Sequence, residues 1–408
     1  MSNNNYQSIP DSSNSPSDLS IDDVDISYNY EEEYDYNYKK LLKKLFFLFT
    51  LLFVSSVTIL VYVGYTLSTN TIVNYLEFPQ LQTLKQIDNY QDGRLIFIGD
   101  VHGEFDNLKK LTQKIDNKFD ITNDDKFILL GDFTTKGLHS DKVVDWMKDH
   151  DSQVECVFGN HEITALFYQV NQHKDLLDSF NKYIKLTQRY FRKHGFEMPS
   201  KQKEKLLRLE THGYIPLEFT DNRNDFIPDT NSIMKAHKQV IEQLGNKRIK
   251  YISNKCSAVL QFPQLKLVSV HAGILPSDLE PIVVSERENP LETPRVSHLS
   301  IKSLISMKWV DKDDFTKTNK LKFDNAIQWF KLWKNDHLTQ IISDKVIRKI
   351  ISSYQVIYGH NAKRGLNIHK RTNGLDSACV AGGELSAMVY TIKSGQITEH
   401  ELVSVDCN

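Results

Sequence analysis

RLIFIGDVHGEF, residues 94–105, opens with a short apolar run, stops at Gly99 and places Asp100 and His102 two positions apart on the turn that follows. A run of that length and bulk reads as a buried strand, and glycine lets the chain turn at its end without a Cβ clash. The same grammar recurs four times. KFILLGD (126–132) ends at Gly131 and Asp132, and VECVFGNHE (154–162) at Gly159, Asn160 and His161. LKLVSVHAG (265–273) ends at His271, and YQVIYGH (354–360) at Gly359 and His360. Five such runs, each closed by polar turn residues, predict strands whose carboxyl ends converge on one site.

Between the first three runs, Phe105 to Phe119 and Ser140 to His150 carry apolar residues at helical spacing, Leu108, Leu111 and Ile115 in one and Val143, Val144 and Met147 in the other. Alternating strands and helices argue for an α/β (α+β) core in which helices cover a sheet. Ser257 to Gln261 with Leu265 to Ser269, and Ser386 to Lys393 with Gln396 to Val403, read instead as antiparallel hairpins, so the sheets are mixed and a two-sheet sandwich is expected. A helical insertion falls at about 163–255. From Lys182 to Lys255 it holds sixteen Lys and Arg against eight Asp and Glu. That reads as a solvated helical cap, with the charge available as a funnel for a polyanion.

The turn residues carry the chemistry. Asp100 and His102 can reach one cation, Asp132 can share an oxygen between two, and Asn160, His271 and His360 can complete the second. A mixed oxygen and nitrogen shell suits Zn, Mn, Fe or Co at a reactive centre better than a structural zinc, for which cysteine is expected. A lone Gly-Asp is an ordinary turn and a lone His an ordinary core residue, but six of them after successive strand-like runs argue against coincidence. Two cations roughly 3.5 to 4 Å apart can activate water and hold phosphoryl oxygens for in-line attack. His161 is then free to act as general acid toward the departing oxygen. Lys136, on the turn after Asp132, and Lys363 and Arg364, after His360, are candidate clamps on substrate phosphates.

The amino end is of another kind. Residues 1–44 are rich in Ser, Asn, Asp, Glu and Tyr and read as a disordered tail. Residues 45–67, LFFLFTLLFVSSVTILVYVGYTL, hold no charge and are long enough for a helix to cross a hydrocarbon layer of about 30 Å. Lys39, Lys40, Lys43 and Lys44 precede this span, whereas the first basic residue after it is Lys85. The tail is therefore expected in the cytoplasm and the large domain on the other side, a single-pass type II arrangement. Residues 68–91 read as a stalk and 92–408 as the catalytic domain. Cys156, Cys256 and Cys379 lie in apolar or strand-like segments and read as packed thiols rather than a disulfide framework. No Asn-x-Ser/Thr acceptor occurs, so an N-glycosylated ectodomain is not expected.

With these residues in view, the chain resembles the phosphoprotein-phosphatase superfamily of metallophosphoesterases, whose blocks are GDxHG, GDxxxRG, GNHE, HGG and a later histidine. Here they stand at Gly99 to Gly103, Gly131 to Gly137 (GDFTTKG), Gly159 to Glu162, His271 to Gly273 (HAG) and Gly359-His360. The resemblance implies a calcineurin-like metallophosphoesterase fold, a central mixed β-sandwich flanked by helices. It also implies Asp100, His102 and Asp132 on the first metal, and Asp132, Asn160, His271 and His360 on the second. Where the Ser/Thr phosphatases of the family carry Asp-Arg, this chain has Thr135-Lys136, which removes the usual carboxylate partner of the catalytic histidine. Lysine in that block, GHNAKRGL (359–366) and LDSACVAGG (375–383) resemble the subgroup related to diadenosine-tetraphosphate hydrolases, and within it the membrane-anchored endopolyphosphatases of fungal vacuoles. That resemblance implies two divalent metal ions, Zn with Co or Mn as alternatives, inorganic polyphosphate as substrate, and a domain in the vacuolar lumen held to the vacuole membrane by one helix. No stable nucleic-acid partner is expected. Dinucleoside polyphosphates, mRNA caps or phosphoproteins are the rival substrates, and a polyphosphate-binding scaffold the rival without catalysis.

Overall fold

The computed structural model describes residues 27–75, 82–172, 235–288, 301–315 and 317–408. In chain order the elements are helix α1 (Ser27–Tyr75), strands β1 (Gln82–Gln86) and β2 (Gly93–Ile98), α2 (Phe105–Phe119), β3 (Lys126–Leu129), α3 (Ser140–Asp149), β4 (Val154–Cys156) and α4 (Asn160–Gln172). Then come α5 (Lys235–Lys255), β5 (Ser257–Phe262), β6 (Leu267–Val270), α6 (Pro276–Glu288), α7 (Ile301–Ser306), β7 (Trp309–Asp311), β8 (Thr318–Asn319) and β9 (Ala326–Gln328). The chain closes with α8 (Asn335–Ile341), α9 (Lys345–Ile351), β10 (Gln355–Tyr358), β11 (Asn367–Ile368), β12 (Thr372–Gly374), β13 (Glu384–Lys393) and β14 (Gln396–Asp406).

Two mixed sheets form the centre, in the orders β1-β5-β6-β10-β12-β11 and β14-β13-β2-β3-β4, and β8-β7-β9 make a small third sheet. The strand period of two decides which face each residue covers. On β2, Leu95 and Phe97 join the cluster holding Leu260, Phe262 and Ile357 of the other sheet, with the Phe97 and Phe262 rings edge to face at 6.2 Å. Ile96 and Ile98 point the other way, into the layer with Leu108, Leu111 and Ile115 of α2 and Val143, Val144 and Met147 of α3. Each side chain so buried contributes roughly 1.5–3 kcal/mol. Both hairpins expected from sequence are present, β5 with β6 and β13 with β14. Parallel pairing of β2, β3 and β4, and of β6 and β10, sets their carboxyl ends at a common edge.

Three expectations change. Cys156 and Cys256 form a disulfide, as do Cys379 and Cys407, so all four cysteines are paired rather than packed as thiols. The first pair is 100 residues apart in sequence, but a bridge between Val157 and Ser257 brings the end of β4 against the start of β5. Strand β1 lies inside the stretch read as a stalk, where it pairs in parallel with β5, so strand structure begins before residue 92. Helix α1 begins at Ser27, so 27–44 are helical rather than disordered, with Asp35 and Lys39 paired one turn apart. Within α1, Asp35–Val63 is long and apolar enough to span a membrane, consistent with a single-pass anchor. Residues 1–26 of the tail and 173–234 of the insertion lie outside the described residues. At the insertion's ends lie α4 and α5, with α5 broken at Gly245.

Non-reducing peptide mapping is expected to return linked peptides for Cys156–Cys256 and Cys379–Cys407, and free thiols in the native chain would refute the pairing. Serine at both 156 and 256 is expected to cost about 2–4 kcal/mol, read as a lower thermal midpoint.

Candidate metal centre

The turn after β3 carries Asp132 at the middle of the site. Its backbone is left-handed (φ 49°), as are His102 (50°), Thr135 (69°), Lys136 (64°) and His360 (71°). Non-glycine residues rarely sit there, so five of them around one site mark a backbone held by its surroundings. Glu162 supplies much of that hold. One of its carboxylate oxygens accepts from the backbone N–H of Asp132 at 2.7 Å and of Gly159 at 3.0 Å. The other accepts from the Thr134 N–H at 3.0 Å and its hydroxyl at 2.6 Å. Gly131 turns at φ 84°, whereas Gly159 and Gly359 serve by lacking bulk, because a Cβ there would collide with the carboxylates of Asp132 and Asp100.

Around Asp132 Oδ2 stand three imidazole nitrogens, Nε2 of His271 at 3.4 Å, of His102 at 3.8 Å and of His161 at 3.9 Å. His271 Nδ1 donates to the Leu130 carbonyl at 2.8 Å, which turns Nε2 inward, 3.2 Å from Asn160 Oδ1 and 3.1 Å from His360 Nδ1. Asp100 accepts from the His360 N–H at 3.0 Å and lies 3.9 Å from His102 Nε2. All six residues read from sequence as ligands are therefore drawn together. Two groups of atoms are close enough to hold an ion each, His102, Asp132 and His161 in one and Asp132, His271 and His360 in the other. The first group contains His161, read from sequence as an acid rather than a ligand.

The electrostatics favour cations. Burial, with Asp376 and Asp132 adding to it, holds the Asp100 carboxyl well above its usual range. Burial also opposes ionisation of Asp132, but His271 and His161 outweigh it and keep that group well below the carboxylate range. Burial and the Asp132 charge push Glu162 up to about 7. Burial pushes His102 and His161 down to about 4, leaving them neutral and able to donate lone pairs near neutral pH. Buried carboxylates beside converging neutral nitrogens are the donor set that a divalent cation fits.

Lys136 and the insertion give two further results. Lys136 Nζ lies 2.8 Å from His102 Nε2, at the ligand cluster itself. His161 Nδ1 meets Nε2 of His237 at 3.0 Å, with both rings buried. His237, on α5, thus stands where the family pattern offers a carboxylate. Neither His237 nor Glu162 was singled out from sequence. Glu162 follows the His of the GNHE block, a signal that was available, whereas His237 lies 76 residues away with no motif around it. Lys363 and Arg364 are exposed on the turn after His360, with Arg364 Nε donating to Asn367 at 3.0 Å and its guanidinium over the Phe330 ring. On α5, Arg248 and Lys255 are paired with Asp145 and Asp151 and so do not add to a funnel.

Residues 93–377 match the calcineurin-like phosphoesterase family. The chain is similar to the zinc-dependent endopolyphosphatase of Saccharomyces cerevisiae, 33% identical over 343 residues that cover 81% of this chain and 86% of that one. It is also similar to the symmetrical bis(5'-nucleosyl)-tetraphosphatase of Wigglesworthia glossinidia brevipalpis, 24% identical over 303 residues, 72% of this chain and 95% of that one. Among solved structures, one described as a diadenosine tetraphosphatase aligns over 80% of this chain and 98% of its own, at 19% identity and a TM-score of 0.43.

Elemental analysis of the protein after gel filtration is expected to find two divalent ions per chain, none in Asp132→Asn and one in Asn160→Ala. His161→Gln is expected to keep both. Loss of one ion there would make His161 a ligand, as the alternative grouping has it.

Proposed function

The chain belongs to the calcineurin-like phosphoesterase family, and on that premise we propose that it is an endopolyphosphatase, cutting internal phosphoanhydride bonds of inorganic polyphosphate. The observation that carries this choice is the pairing of His161 with His237. A carboxylate partner raises a histidine's proton affinity, whereas a neutral, buried imidazole does not; burial, with Lys136 and His237 adding to it, holds His161 at about 4 despite the Asp132 charge. Such a group is a poor acid for an alkoxide leaving group. A polyphosphate fragment leaves as a phosphate anion, stable near neutral pH with a second pKa of about 6, and needs little proton help.

In this reading Asp100, His102 and Asp132 hold one ion, and Asp132, Asn160, His271 and His360 the other. Two divalent ions there, zinc by similarity with cobalt or manganese as alternatives, would lower the pKa of water and neutralise phosphoryl oxygens. Glu162 fixes the Asp132 turn against the charge it carries. Lys136, released from His102 Nε2 in the loaded site, presents its ammonium to the phosphoryl oxygens, and Lys363 and Arg364 hold flanking phosphates. His161, oriented by His237, hydrogen-bonds the departing oxygen. Residues 45–67 anchor the chain with residues 1–44 in the cytoplasm and the catalytic domain in an oxidising lumen, that of the vacuole. The two disulfides support that compartment. Trp309, half-buried next to Lys308, supplies an aromatic face and favours a second reading, hydrolysis of dinucleoside polyphosphates.

On gels, the metal-loaded full-length chain is expected to convert long polyphosphate into intermediate lengths before orthophosphate accumulates, with Asp132→Asn at background. The unsubstituted chain is expected to hydrolyse glycerol phosphate far more slowly than polyphosphate, and His161→Gln to slow either by no more than about tenfold. Turnover of phosphopeptides with no shortening of polyphosphate would overturn the proposal.

A further inference from the structure

Next to the metal cluster, the chain from β7 to β9 and the turn after His360 enclose a cleft of about 410 Å³. That is the volume of roughly a dozen waters, room for several linked phosphoryl groups. Lys308, Lys320, Lys322, Lys363 and Arg364 line it, and no carboxylate among the described residues does. None of the five is in an ion pair with a carboxylate among the described residues. Some lysines and arginines elsewhere on the domain are neutralised by carboxylates. Lys85 is paired with Glu155, Lys118 with Glu401 and Arg248 with Asp145. Five like charges gathered around one concavity repel one another, and a bound polyanion relieves that repulsion.

The cleft is continuous with the centre. Asn361, in its wall, is the residue after His360. Lys308, also in the wall, lies within electrostatic reach of Asp100, Asp132 and Asp376 on one side and of Lys363 on the other. Two of the cations are braced by rings, Arg364 over Phe330 at 4.8 Å and Lys322 over Trp309 at 5.6 Å, which limits the side-chain entropy lost when an anion is gripped.

We propose that this cleft is a phosphate-chain subsite, in which Lys308, Lys320 and Lys322, with Lys363 and Arg364, hold the phosphoryl groups that continue from the scissile bond on one side of the metal centre. The shared chemistry is a linear phosphoanhydride chain. Inorganic polyphosphate is the source that rests on the function proposed above, and a nucleoside-capped chain is the other. Lys308 takes the phosphate nearest the centre, and Lys320 and Lys322, on the exposed turn between β8 and β9, take more distant ones.

Binding separates this subsite from the reaction. Metal-free full-length protein in detergent is titrated into end-labelled long polyphosphate and followed by fluorescence anisotropy at several salt concentrations. Lys320→Gln with Lys322→Gln is expected to weaken binding about tenfold or more and to flatten the log Kd against log salt slope by roughly one unit. Lys109→Gln with Lys142→Gln removes the same charge from α2 and α3 and is expected to leave binding unchanged. Equal affinities for the two double variants overturn the subsite, whether or not the protein cuts polyphosphate. Cleft-dependent binding without shortening of the chain keeps the subsite and overturns the endopolyphosphatase reading. Inorganic tetraphosphate and a dinucleoside tetraphosphate are then compared as competitors. Equal displacement supports an inorganic occupant. Much stronger displacement by the capped chain, lost in Trp309→Ala, keeps the cleft and overturns inorganic polyphosphate as its ligand.

Discussion

One carboxylate oxygen, Oδ2 of Asp132, faces imidazoles from three separate segments at 3.4 to 3.9 Å, and the architecture is organised around keeping it there. The oxygen is buried, so its charge is stabilised by its neighbours rather than by water. The neighbours come from the ends of β2, β4 and β6, which the parallel pairing of β2 to β4 and the packing of two sheets bring to one edge. Directly behind lies a second buried carboxylate, Glu162, which accepts from the backbone N–H groups of Asp132 and Thr134 and the Thr134 hydroxyl on that turn, and from the Gly159 N–H on the turn after β4. Two acids this close are tolerable because one is spent on the backbone and the other on imidazoles and cations. A change at Glu162 would therefore be felt as a misplaced Asp132.

Much of this is legible in the sequence because it is local. An apolar run closed by a ligand-type residue, with glycine before it in four cases and two residues after it at His271, announces both a strand and its functional end, and five such runs gave the sheet edge and the six clustered side chains. Helices α2 and α3 were legible from the spacing of Leu108, Leu111, Ile115 and of Val143, Val144, Met147 for the same reason. What was missed depends on distance along the chain. Cys156 and Cys256 sit in separate apolar segments, and only the bridge between the ends of two sheets makes them neighbours. His237 carries no motif, and its meaning comes from the way α5 packs beside α4. The contact of the Lys136 ammonium with His102 depends likewise on the left-handed turn that carries it there.

The Nδ1 side of His161 meets an imidazole, that of His237 on α5. The clustered carboxylates and imidazoles that could hold ions follow strand ends. Burial lowers the proton affinity of His161, and Lys136 and His237 add to that effect against the opposing charge of Asp132.

The bond between Cys156 and Cys256 has a topological meaning beyond its strength. It closes the chain into a ring that contains Asn160 and His161 near one end and His237 near the other. A protease that opened this ring anywhere in 173–234 would produce two polypeptides but still one covalent molecule, with α4 and α5 each tied to the same knot. Backbone continuity and integrity of the centre are thereby uncoupled over that interval, and a nicked molecule would separate into fragments only after reduction.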